Sequence, residues 1–115
     1  MSIPNAVKQV MADAWKNYAN FVAVFTGAGG GTTGANEATG GGYARQATTW
    51  TSNTNGTVGG SAVTVPVAAA TYTEGGLFSA STAGNFGGSV PFSGGSVIVS
   101  GSGASIVVTP NLAVA

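Results

Sequence analysis

The sequence predicts a mainly β domain: an N-terminal amphipathic helix, then a small antiparallel β-sandwich or barrel-like sheet with Gly-rich loops. Three observations lead there. Apolar residues in the first twenty positions recur at helical spacing. Beyond Asn20 they change to short Val-, Phe- and Thr-rich runs parted by Gly-rich turns. Four small residue types, Gly 20, Ala 19, Thr 14 and Ser 11, make up 64 of the 115 residues, and small side chains let strands approach closely. The length allows one domain, read as a helix over 1–20 packed on the same domain and a sheet region over 21–115.

Val7, Val10, Met11, Ala14, Trp15 and Tyr18 fall at i, i+3, i+4, i+7, i+8 and i+11, an apolar stripe about 140° wide on a helix. Gln9, Asp13, Lys16, Asn17 and Asn20 take the other side. Pro4 suits the first turn, with Ser2 or Asn5 as cap. The stripe is expected to pack on the chain's own sheet, which needs a lid; docking on a partner is the alternative.

Phe21–Phe25 is apolar at successive positions, so that strand must be covered on both faces. Gly27–Gly42 holds eight glycines and reads as a flexible surface loop. Tyr43–Thr51 is a strand with mixed faces, and Asn53–Gly56 a turn. Ala62–Val67 alternates, with Pro66 pointing outward as at an edge. Tyr72–Ala80 and Phe86–Phe92 are strands parted by a turn at Ser81–Asn85. Ser96–Ser100 and Ala104–Thr109 are expected to form a closing hairpin across Gly101-Ser102-Gly103. Gly doublets at 59–60, 75–76, 87–88 and 94–95 are irregularly spaced, which argues against a β-solenoid.

The composition excludes several function classes. With no Cys there is no disulfide scaffold or thiol nucleophile. With no His the usual acid/base at neutral pH and the commonest transition-metal ligand are missing. The carboxylates are Asp13, Glu37 and Glu74, too scattered in sequence for a hard-cation site. Three cations, Lys8, Lys16 and Arg45, cannot follow a phosphate track, so no nucleic acid is expected as partner. The Gly27–Gly42 stretch holds no Lys and no phosphate-loop spacing. No segment reaches the roughly 20 apolar residues of a membrane span, and Met1–Val10 lacks the pattern of a signal peptide. Neither an enzyme nor a cofactor or metal site is expected. Arg45 is the candidate ion-pair partner of Glu37 or Glu74. Trp15, Tyr43, Trp50, Tyr72 and Phe92 are read as core or subunit interface, with sugar stacking as the alternative.

The run Thr33-Gly34-Ala35-Asn36-Glu37-Ala38-Thr39-Gly40-Gly41-Gly42-Tyr43-Ala44-Arg45-Gln46 resembles a signature of small virion proteins of tailed phages, especially those of actinobacteria. A Gly76-Leu77-Phe78-Ser79-Ala80 segment with Gly84 beyond it and a last β-hairpin, as Val97–Thr109 would form, extend the resemblance over nearly the whole chain. It departs at Thr26–Gly31, which is plainer than the polar, acidic segment common there. Such proteins are usually labelled tail fibre proteins, and some look like capsid decoration or minor capsid proteins. The resemblance implies a β-rich, non-enzymatic virion component, made in the host cytoplasm and assembled as a homotrimer. A capsid decoration protein that reinforces the shell is the leading expectation, with the major capsid protein or tail proteins as partners. A tail fibre or receptor-binding component, touching host glycan, is the alternative. Zero net charge and the ordering entropy of so many glycines both favour association with further copies.

Overall fold

A computed structural model describes residues 2–27 and 29–114; Met1, Ala28 and Ala115, which fall within the segments assigned above, lie outside the described residues. Among the described residues one helix, α1 (Asn5–Tyr18), precedes ten strands: β1 (Phe21–Thr26), β2 (Gln46–Ala47), β3 (Trp50–Ser52), β4 (Thr57–Gly60), β5 (Val63–Val67), β6 (Ala70–Phe78), β7 (Phe86–Pro91), β8 (Val97–Val99), β9 (Ala104–Val108) and β10 (Asn111–Ala113). Every ladder is antiparallel. The molecule measures 47 × 23 × 22 Å.

The central sheet runs β2-β1-β6-β7, with β8 also on β6. Strand β1 is covered on both faces, as its unbroken apolar run requires. Val22 and Val24 enter a main core with Val58, Val65, Val67, Tyr72, Leu77, Ile106 and Leu112. Ala23 and Phe25 turn the other way and join Phe78 and Phe86, with ring centroids 5.4–6.1 Å apart.

The Gly-rich segment is a loop, exposed over most of its length as expected, but its Gly29–Gly30 stretch and Ala38 are buried, and part of it covers this aromatic cluster. A Cβ on Gly30 would lie 2.7 Å from Ser89 Oγ and 3.1 Å from the Phe86 ring, so only a bare backbone can approach the rings this closely. The segment is tied down by Thr26 N–H to Asn36 O and Ala38 N–H to Val24 O, at 2.9 and 3.0 Å.

Four further expectations change. Pro4 is itself the N-cap, not the first helical residue, and no side chain caps the helix; the Pro4 carbonyl accepts from Val7 and Lys8 N–H. The strand expected over Tyr43–Thr51 is two short ones, because Thr48 is buried between them and donates to Ser61 O. Strands β4 and β10, which pair with each other, were not expected from such short and Gly- or Asn-containing segments. The closing hairpin does not form. β8 pairs with β6 and β9 with β5, so Val67 faces Ala104 and Ala70 faces Val99. One long ribbon therefore turns a corner, with Ala68–Ala69 opposite Ser100–Gly103. The extra residues on one side act as a bulge, and Gly101 and Gly103, both at positive φ, carry the chain around it.

The helix packs on β3, β4 and β10, but with the face opposite to the expected one. Fully buried Ala12 lets it approach closely. Gln9 Nε2 donates to Thr57 O at 3.1 Å, Gly56 N–H donates to Gln9 Oε1 at 3.0 Å, and Ser52 Oγ donates to Asp13 Oδ1 at 2.6 Å. The ground beneath the helix joins a small apolar patch, where Ala12 and Ala19 share a cluster with Val58 and Leu112, to a turn and strand ends that offer polar groups. Polar side chains therefore face in, and Val7, Val10, Met11 and Tyr18 remain 45–68% exposed. Ala14 is exposed too, while Trp15 is half-buried. Own-core packing of the stripe is thus corrected for all but Trp15.

Candidate functional site

The signature run closes into one cluster of polar groups. Glu37 forms an isolated bridge with Phe25, which seats it beside the central sheet. Arg45 Nε donates to Glu37 Oε2 at 2.7 Å and Nη2 donates to Oε1 at 2.8 Å, a bidentate pair. Nη1 donates to the carbonyls of Ala80 and Ala83 at 2.9 and 2.7 Å. The guanidinium lies 3.5 Å above the centre of the Phe78 ring, within cation–π range. Tyr43 Oη donates to Glu37 Oε2 at 2.6 Å.

The cluster's electrostatics follow from this geometry. Burial pushes the Glu37 carboxyl up, but hydrogen bonds from Arg45 and Tyr43 and the Arg45 charge together hold it below its usual value. Burial and the neighbouring Glu37 carboxylate push the Tyr43 phenol well above its usual value. The hydrogen bond to Glu37 raises Arg45 further. Asp13, on the helix, is lowered by hydrogen bonds from Ser52 and Gln9.

Chemically the cluster is spent on itself. A shallow depression of about 300 Å³ lies over Glu37, Tyr43, Arg45 and Ser81–Ala83. Arg45 already gives four hydrogen bonds of the five a guanidinium can make. The pair instead pins the turn after β6 to the Gly-rich segment. Glu74 is not part of it. Its Oε1 accepts from Gly30 N–H at 3.2 Å and Ser89 Oγ at 2.7 Å, which fastens the far end of the same segment. No group of three metal-ligating side chains is found among the described residues. No helix is long and apolar enough to cross a membrane among those residues.

The aromatic candidates separate by burial. Tyr72 is buried, with its hydroxyl donating to Ala68 O, and offers no stacking face. Trp50 packs on the main core from β3, and its buried indole N–H has no partner among the described residues. Trp15 Nε1 donates to Gly87 O at 2.8 Å. Trp15 and Phe92 both line an open cleft of about 770 Å³ between β7 and β9–β10. Sequence reading missed this cleft because its walls come from segments that meet only through the bent ribbon.

The fold and these polar groups define a class: a small, elongated, antiparallel β module in which Asp13, Glu37, Arg45 and Glu74 tie its own segments together. The comparison with known families is more specific. The profile of the family described as podophage GP4 fiber I protein gp80 matches residues 9–111, and the chain belongs to that family of phage fibre-type virion proteins. No curated protein and no solved structure was found to match.

Proposed function

We propose that this chain is a non-enzymatic structural module of a tailed-phage tail fibre. The observation that carries the reading is membership of a fibre protein family over residues 9–111. The elongated 47 × 23 × 22 Å body supports it, as does the use of Glu37, Arg45 and Glu74 in internal bonds. The same membership weighs the fibre reading above capsid decoration. The attribution to phages of actinobacteria rests on the sequence resemblance alone.

The mechanism is mechanical. Ladders, a bidentate ion pair and a double-sided core hold a fixed shape, and subunit contacts bury apolar surface worth about 25 cal/mol per Å² before entropic costs. Under this reading the cleft beside Trp15 and Phe92, flanked by Ser89, Ser93 and Ser96, is where host glycan would be met, by stacking and hydroxyl hydrogen bonds. Labelling the chain in intact virions with antibody and imaging them tests the assignment. Label on the fibres is expected; label confined to the head shell would reject it.

A further inference from the structure

The turn between β3 and β4 carries a chemistry found nowhere else in the chain. Of the eight asparagines, Asn55 alone is followed by glycine. The side-chain carbonyl carbon of an asparagine is an electrophile, and the nearest nucleophile is the backbone nitrogen of the next residue. Attack closes a succinimide ring, and a glycine in second place offers no Cβ to hinder it.

The fold itself asks for this pair. Asn55 and Gly56 both adopt positive φ, 60° and 87°, a conformation that Asn and Gly tolerate best. A Cβ at Gly56 would lie 2.7 Å from Lys8 Cβ, on the helix above. Docking of α1 therefore demands a glycine at the position that makes Asn55 labile.

The same helix restrains the reaction. Asn55 is exposed, so water reaches its amide, whereas Gly56 is buried. Gly56 N–H donates to Gln9 Oε1 at 3.0 Å, and Gly56 O accepts from Val114 N–H at 2.8 Å. Gln9 is held in turn. Its Nε2 donates to Thr57 O and to Asp13 Oδ1, both at 3.1 Å, and Asp13 Oδ1 also accepts from Ser52 Oγ at 2.6 Å. Bringing the Gly56 nitrogen onto Asn55 Cγ turns the peptide plane between the two residues. That turn takes the N–H off Gln9 and strains the bond to Val114. The nitrogen that must attack is the one that the helix holds.

We propose that Asn55 is a self-modification site gated by docking of α1, with Gln9 as the residue that holds the reaction off. When the helix lifts, the Gly56 nitrogen bonds to Asn55 Cγ and the Cγ–Nδ2 bond breaks. The proton lost from the Gly56 nitrogen ends on the departing amide nitrogen, which leaves as ammonia. Water then opens the ring at either carbonyl, giving aspartate or isoaspartate, and no other reactant enters. Both products add a fourth side-chain carboxylate to a chain with three. Isoaspartate also carries an extra methylene through the turn on which Gln9 docks, so a lifted helix leaves a lasting mark on its own seat. This holds whether the chain sits on a fibre or on the head shell.

Peptide mass spectrometry of the purified chain in mildly alkaline buffer follows conversion of Asn55, with the chain unfolded in urea as reference. The folded wild type is expected to convert at least about tenfold more slowly than the unfolded chain, since the reaction waits on a local opening. Gln9→Met keeps the stem and removes the amide. It should convert about threefold to tenfold faster than the wild type, the weight of the hydrogen bonds that opening no longer breaks, with the circular dichroism of the sheet unchanged. Val10→Ser, on the exposed face of the same helix, should convert at the wild-type rate. Hydrogen exchange of the Gly56 amide gives an arm that needs no variant, and it decides if Gln9→Met loses its sheet signal. In the folded wild type that exchange should be slowed by a factor comparable to the slowing of Asn55 conversion, because one opening serves both. Conversion of the folded wild type at the unfolded rate, equal rates for a folded Gln9→Met and the wild type, or an unprotected Gly56 amide would overturn the inference.

Discussion

Replacing Arg45 with Met puts the largest load on the cluster that joins the Gly-rich segment to the turn after β6. The substitution keeps the stem and removes the guanidinium, so Glu37 retains only the Tyr43 hydroxyl. Removing one partner of a buried ion pair costs about 3–5 kcal/mol. The Arg45 side chain is 9% exposed, but Glu37 keeps 22% of its surface in water, so screening favours the low end, about 3 kcal/mol. The lost contact with the Phe78 ring adds about 0.5–1 kcal/mol, partly returned by the Met stem. The freed Ala83 carbonyl is at an exposed residue and takes water instead. A total near 3 kcal/mol lowers the urea midpoint by about 2 M if m is roughly 1.5 kcal/mol/M. Urea unfolding followed by tryptophan fluorescence, at one fixed protein concentration since association adds its own stabilisation, measures it. Adding Glu37→Gln should recover about half, because the stranded charge is gone. A midpoint within about 0.5 M of the wild type, with m unchanged, would show that the cluster does not hold the segment and that the reasoning is wrong.

Three more outcomes can be checked on the same curves. Glu37 titrates below its ordinary 4.5 in the folded chain, so the unfolded state takes up its proton first as pH falls. Its contribution is complete above that ordinary value and is lost as pH drops through the lower folded value; the urea midpoint should decline below about pH 4.5, and less steeply in Glu37→Gln. Gly41→Ala should cost at least 1 kcal/mol more than Gly42→Ala, since both adopt positive φ but only a Cβ at Gly41 meets backbone, 2.5 Å from Ala68 Cα. Equal midpoints would contradict the close approach at Gly41. Ala12→Leu should destabilise by about 1–3 kcal/mol through overpacking beneath the helix, whereas Ala14→Leu should be neutral or stabilising. The reverse order would mean that the helix sits on its apolar face after all.

The parts legible in the sequence were those set by local covalent facts. Phe21–Phe25 announces a strand covered on both sides because five consecutive apolar residues leave no wet face. The Ser81–Asn85 turn and the alternation of Val63, Val65 and Val67 follow from backbone and side-chain geometry alone. The Glu37–Arg45 pair was within reach because each opposite charge had so few partners to choose from. The absence of Cys and His from the sequence narrowed the chemistry without any coordinates.

Tertiary structure decided what depends on which surface happens to lie opposite. The helix period shows that one side is apolar, but which side faces in depends on the floor, and here Gly56 and Thr57 bind Gln9 and the end of β3 binds Asp13 through Ser52. The Val/Ile-rich segments around Gly101–Gly103 are competent to pair with each other. They part because β5 and β6 already form a bent edge that both can extend, and that choice rests on long-range packing. The Gly-rich segment reads as slack because glycine has no local preference; only the rings of Phe25, Phe78 and Phe86 beneath it turn the missing side chains into a close fit.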